Sequence, residues 1–151
     1  MAAFKYCIES DDFNVDIYEF DLHITKDEKL ILLHDDTLDR TTNAVEEFGY
    51  EDVKPSTKTY EELSVLNFGE NFETLDGEYP YRNLRGEEIP ENLRVVLLED
   101  VLNYLQSNGD FTYIIEIKDK GSNNASYPIY VLSAWGVEKV VTIEELITEI
   151  K

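Results

Sequence analysis

Residues 15–25 read VDIYEFDLHIT, so two carboxylates, Glu19 and Asp21, alternate with bulky apolar side chains. Alternation at a period of two sends every second side chain to the same face of a strand. Ile17, Glu19, Asp21 and His23 therefore share one face, and Tyr18, Phe20, Leu22 and Ile24 share the other. If the apolar row packs against helices, the acidic row points into a sheet or barrel interior, where uncompensated charge is costly. Residues 112–118 repeat the pattern, with Thr112, Ile114, Glu116 and Lys118 opposite Tyr113, Ile115 and Ile117. A divalent cation would compensate Glu19, Asp21 and Glu116. Hard oxygen ligands without accompanying cysteine suit magnesium or calcium, with manganese as a third candidate. The bland alternatives are an edge strand whose acidic face is solvated, and a solvent-facing Glu116/Lys118 pair.

The rest of the chain alternates helix and strand signals. Residues 2–10 place Ala3, Phe4, Cys7 and Ile8 at helical spacing, with no capping residue ahead of them. Residues 26–29 form a polar connection to a short apolar strand over 30–33, which ends at His34. Thr59 followed three residues later by Glu62 is a capping box ahead of Leu63 and Leu66. Residues 69–93, rich in Gly, Pro, Asn and charge, read as a long ordered loop. Residues 98–107 make a helix with Leu98, Val101, Leu102 and Leu105 on one face and Gly109 past its end. Strand candidates follow at 129–132 and 139–141, and Thr142 caps a final helix to about Ile150. This order favours an α/β fold with parallel strands.

A chain of 151 residues can bury one core, and no long linker interrupts it, so residues 1–151 are expected to form a single domain. The formal charge of −20 repels nucleic acid and anionic lipid. The 12% aromatic content argues for a folded chain despite that charge. Cys7 is the lone cysteine, so no internal disulfide forms. MAAFKYCIES lacks the basic start and apolar run of a signal peptide, and no stretch approaches the roughly 18 apolar residues of a membrane span. A cytoplasmic protein is expected, unless a targeting segment has been lost ahead of Met1.

His23 and His34 are the two histidines. His34 ends its strand where barrels and open α/β sheets place their chemistry, and it could act as a general acid or base near neutral pH. His23 reads as a structural residue. Asp35, Asp36, Asp39 and Arg40 read as loop scaffolding, with Arg40 paired to one of these acids.

Taken together, Glu19 to Asp27 (EFDLHITKD), Leu33 to Thr42 (LHDDTLDRTT) and Ile115 to Lys118 (IEIK) resemble the glycerophosphodiester phosphodiesterase family. Tyr60-Glu61-Glu62-Leu63, Ile89-Pro90 and Leu98-Glu99-Asp100-Val101-Leu102 are similar to segments the family carries between those motifs. The resemblance covers roughly Met1 to Asp119. It implies a TIM-type (β/α) barrel that hydrolyses small-molecule glycerophosphodiesters to sn-glycerol 3-phosphate and an alcohol with a divalent cation. It also implies Glu19, Asp21 and Glu116 as metal ligands, His34 as one of two acid/base histidines, and Lys118 beside the substrate phosphate.

Departures from the family pattern carry expectations of their own. The family's first strand ends in His-Arg, followed by Pro-Glu-Asn-Thr, and that register would fall before Met1. A TIM barrel needs about 250 residues. The resemblance thus implies an N-terminally truncated, shortened member with an incomplete barrel, whose exposed edges would favour homodimers, strand exchange or aggregation. Glu28 stands where the family has glycine, so a different or strained turn is expected there. A second reading is a non-catalytic acidic α/β remnant that binds a divalent cation or a protein partner.

Overall fold

The computed structural model describes residues 1–12, 14–118 and 130–133. The chain divides into two compact units: Met1–Ile24, Leu30–His34 and Val96–Lys151 form the first, and Thr25–Lys29 and Asp35–Val95 form the second.

The first unit is built on a sheet of four strands, β1 (Ile17–Ile24), β2 (Leu30–Leu32), β3 (Thr112–Ile117) and β4 (Tyr130–Ser133), in the order β2-β1-β3-β4. β1 and β3 run parallel, with Asp21 opposite Glu116 and Phe20 opposite Ile115. β2 is antiparallel to β1, and β4 is antiparallel to β3. An all-parallel sheet is therefore not what forms. The link between β1 and β2 spans only residues 25–29, too short for the crossover that parallel neighbours require, so the two strands close as a hairpin. β2 is held on its other side by a bridge from Ile31 to Leu97.

Helix α1 (Ala2–Glu9) and helix α4 (Leu98–Gln106) belong to this unit. The buried cluster takes Tyr18, Phe20 and Leu22 from β1, Tyr113, Ile115 and Ile117 from β3, and Leu98, Val101 and Leu105 from α4. These are the apolar faces that strand and helix periodicity assigns. Phe4, Cys7 and Ile8 of α1 pack against the cluster. The Phe4 ring lies 5.5 Å from Phe20, which lies 5.7 Å from Tyr113. Truncating a ring buried like Phe20 to alanine costs about 3–5 kcal/mol, because the cavity adds to the lost transfer energy. Once the apolar row of β1 is buried this way, its carboxylates must leave by the opposite face.

The second unit contains α2 (Ala44–Phe48), α3 (Tyr60–Ser64) and three 3-10 turns, Pro55–Thr57, Gly86–Glu88 and Glu91–Leu93. Sequence periodicity gives no sign of α2, which is barely one turn long; it stops at Gly49, whose φ of 76° ends it in the left-handed region. The capping box at α3 forms as read, with Thr59 Oγ1 accepting from the Glu62 amide at 3.2 Å and Glu62 Oε2 accepting from the Thr59 amide at 2.8 Å. The long loop is ordered by buried polar groups. The Asn67 side chain donates to Glu70 and to the Tyr81 carbonyl, and Glu70 in turn accepts from the Asn83 amide and from Arg85 at 2.8 Å. Asp39 accepts from the Asp52 and Val53 amides. No helix among the described residues is long and apolar enough to cross a membrane. The strand expected over 139–141 and the helix expected over 142–150 lie outside the described residues.

Candidate metal centre

Three carboxylates meet on the sheet face opposite the core. In the parallel register Asp21 and Glu116 are direct partners, and Glu19 lies two residues before Asp21 on the same side. Each of the three offers an oxygen within 4.8 Å of the others, and among the described residues they are the one group so arranged. The donor set is all oxygen and drawn from two adjacent strands, which is the chemistry hard divalent cations take. The residues thus fit a cation of that class.

Lys118, two residues beyond Glu116, turns to the same face. Its Nζ lies 2.9 Å from Asp21 Oδ1 and 2.9 Å from Glu116 Oε1, and its side chain is 15% exposed. The backbone holds it there, since the Lys118 amide donates to the Leu22 carbonyl at 2.9 Å. The hydrogen bonds that the Lys118 ammonium donates to Glu116 and Asp21 push it above its ordinary pKa, against a smaller opposing effect of burial.

One ammonium does not balance three carboxylates. Glu19 shows the excess: burial, then the negative charges of Asp21 and Glu116, raise its pKa above the ordinary carboxylate range, while Lys118 and His34 pull it down. His34 is therefore close enough to act on Glu19 electrostatically. It lies two residues past the end of β2 and is exposed. The Leu33 amide donates to the Asp21 carbonyl at 3.0 Å, which ties the chain just before His34 to the carboxylate strand. His23, two residues beyond Asp21 on β1, is buried at 2% exposure and pairs in register with Ile31. Arg40 is turned to Asp35, with its second contact at 2.9 Å.

Glu19, Asp21, Glu116, Lys118 and His34 all lie in the first unit, and apart from His34 they are brought together by the β1–β3 pairing. The bridging position of Lys118 has no sequence signature of its own. Only the register of two strands distant in the chain puts its ammonium against Asp21.

Residues 4–142 match the model of the glycerophosphoryl diester phosphodiesterase family. The glycerophosphodiester phosphodiesterase of Haemophilus influenzae is 31% identical over 144 residues, covering 82% of this chain and 39% of that protein. The glycerophosphodiester phosphodiesterase of Caldanaerobacter subterraneus is 33% identical over 121 residues, covering 78% of this chain and 38% of that protein. The chain thus spans about two fifths of the length of these relatives. A crystal structure of the glycerophosphoryl diester phosphodiesterase domain of an uncharacterised Mycobacterium tuberculosis protein shares the fold over 70% of this chain and 34% of that one, with a TM-score of 0.51 and 21% identity. With its acidic strand pair and its match across residues 4–142, the chain belongs to the glycerophosphoryl diester phosphodiesterase family.

Proposed function

We propose that this chain carries a metal-dependent phosphodiesterase site that hydrolyses glycerophosphodiesters to sn-glycerol 3-phosphate and an alcohol. The observation that carries the reading is the convergence of Glu19, Asp21 and Glu116 within 4.8 Å in a member of this family. In this reading the sheet of the first unit is part of a TIM-type barrel, and residues 1–151 serve one domain. A cytoplasmic location and self-association through strand edges belong to the same proposal; the lone Cys7 supports the former.

Glu19, Asp21 and Glu116 would hold a magnesium, calcium or manganese ion. Bound there, such a cation supplies Lewis acidity at the phosphodiester and offsets the carboxylate charge. The remaining work falls to the side chains. His34, exposed two residues past β2, exchanges a proton at an ester oxygen as general acid or base. Lys118 places an ammonium beside the phosphate, which gives an anionic substrate a foothold on a protein of formal charge −20. The carboxylate strand is anchored by its buried face, so the ligands keep their spacing without the substrate.

The test is release of sn-glycerol 3-phosphate from glycerophosphocholine with magnesium, calcium or manganese, against the same assay in EDTA. Metal-dependent release is expected, and His34→Ala should lower it by about 10²–10⁴-fold, the usual worth of a positioned acid or base. Cation binding without any metal-dependent release would refute hydrolysis and favour the cation-binding module.

A further inference from the structure

Lys118 makes two charge-assisted bonds, to Asp21 Oδ1 and to Glu116 Oε1, both at 2.9 Å. Those oxygens belong to two of the three residues that the proposed cation site needs. A divalent cation binds carboxylate oxygen at about 2.0–2.6 Å and repels an ammonium beside it. The ammonium and the cation therefore compete for the same two carboxylates. Lys118 is equipped to yield: its backbone is pinned to Leu22 by a 2.9 Å hydrogen bond, while a flexible four-carbon stem lets Nζ move. With one positive charge against three carboxylates, the ammonium compensates the cluster only in part.

We propose that Lys118 is an internal stand-in for the cation: it holds Asp21 and Glu116 together in the cation-free protein and, once displaced, turns its ammonium to the substrate phosphate. This rests on the reading of Glu19, Asp21 and Glu116 as a cation site and adds a coupling to it. Cation binding releases a phosphate-binding group, and by reciprocity phosphate binding removes a competitor of the cation. Lys118 is thus a positioning residue for the empty site and a phosphate contact in the loaded one.

The consequence separates this role from a purely structural one. Loss of a structural lysine would weaken cation binding, whereas loss of a competitor strengthens it. Isothermal titration with manganese chloride, with and without inorganic phosphate, decides between them. Lys118→Met should bind manganese more tightly than the wild type, on the order of tenfold, since a nearby like charge and two competing bonds are gone. Phosphate should tighten manganese binding less in that variant than in the wild type. Lys118→Arg keeps the charge and should bind manganese as weakly as the wild type. In thermal melts Lys118→Met should lie below the wild type in EDTA and recover in manganese. Should Lys118→Met fail to fold, Lys118→Gln carries the same comparison. Equal or weaker manganese binding by the neutral variant, or equal tightening by Lys118→Arg, overturns the competition. No manganese binding by the wild type overturns the cation site itself, and with it this inference.

Discussion

At the scale of the residue, burial and charge select which acids are under tension and which are at rest. Glu19 is pushed above the ordinary carboxylate range, by burial first and by Asp21 and Glu116 next. Glu70 goes the other way. Burial opposes its charge, yet hydrogen bonds from Arg85, the Asn83 amide and Asn67 together hold it below the ordinary value. A carboxylate with a depressed folded pKa adds stability above its unfolded value and loses it as the pH falls through the folded one. Acidification from the ordinary glutamate range downwards should therefore loosen the long loop. Glu70→Gln should cost about 2–3 kcal/mol at neutral pH, because Arg85 then loses a partly buried partner. The variant should also show a flatter acid limb in urea melts followed from pH 7 to pH 3; an unchanged acid limb would contradict this assignment. The alternation of charge and bulk made Glu19, Asp21 and Glu116 legible in the sequence. Glu70 and Arg85 were not, since partners in irregular chain have no period to betray them.

Elements with local causes are legible in the sequence. The capping box at Thr59 and Glu62, the amphipathic face of α4 and the alternating burial of β3 all depend on neighbours within a turn or two, and all form as the sequence implies. The direction of pairing was harder, because parallel or antiparallel neighbours depend on how much chain joins them. The turn between β1 and β2 is the instructive case. Glu28 adopts φ 63°, and its amide donates to the Thr25 carbonyl at 3.0 Å. The turn thus keeps a glycine-like conformation under a side chain that pays a steric cost for it. A left-handed residue costs about 1–2 kcal/mol, and glycine gives back about 0.5–1 through its freer unfolded chain. Glu28→Gly should accordingly stabilise the protein by about 0.5–1 kcal/mol, seen as a higher urea midpoint with an unchanged slope. A lower midpoint would show that the Glu28 side chain makes a contact worth more than the strain.

At the scale of the whole molecule, two compact units share one chain, and the ligand-bearing one is assembled from segments far apart in sequence. This is why the site was half legible: each carboxylate announced its own strand face, but their meeting required the β1–β3 register, and Lys118 came with it. The chain covers 39% of the Haemophilus influenzae relative. In the proposed function β1 and β3 together build one divalent-cation site. Its most direct test is a calorimetric titration of the protein with manganese chloride beside the Glu19→Ala/Asp21→Ala/Glu116→Ala variant. Replacing even outer partners of a metal site costs about 10–100-fold in affinity, so removing three ligands should abolish the binding seen in the wild type. Equal manganese affinity in the two proteins would rule out a cation site built by Glu19, Asp21 and Glu116.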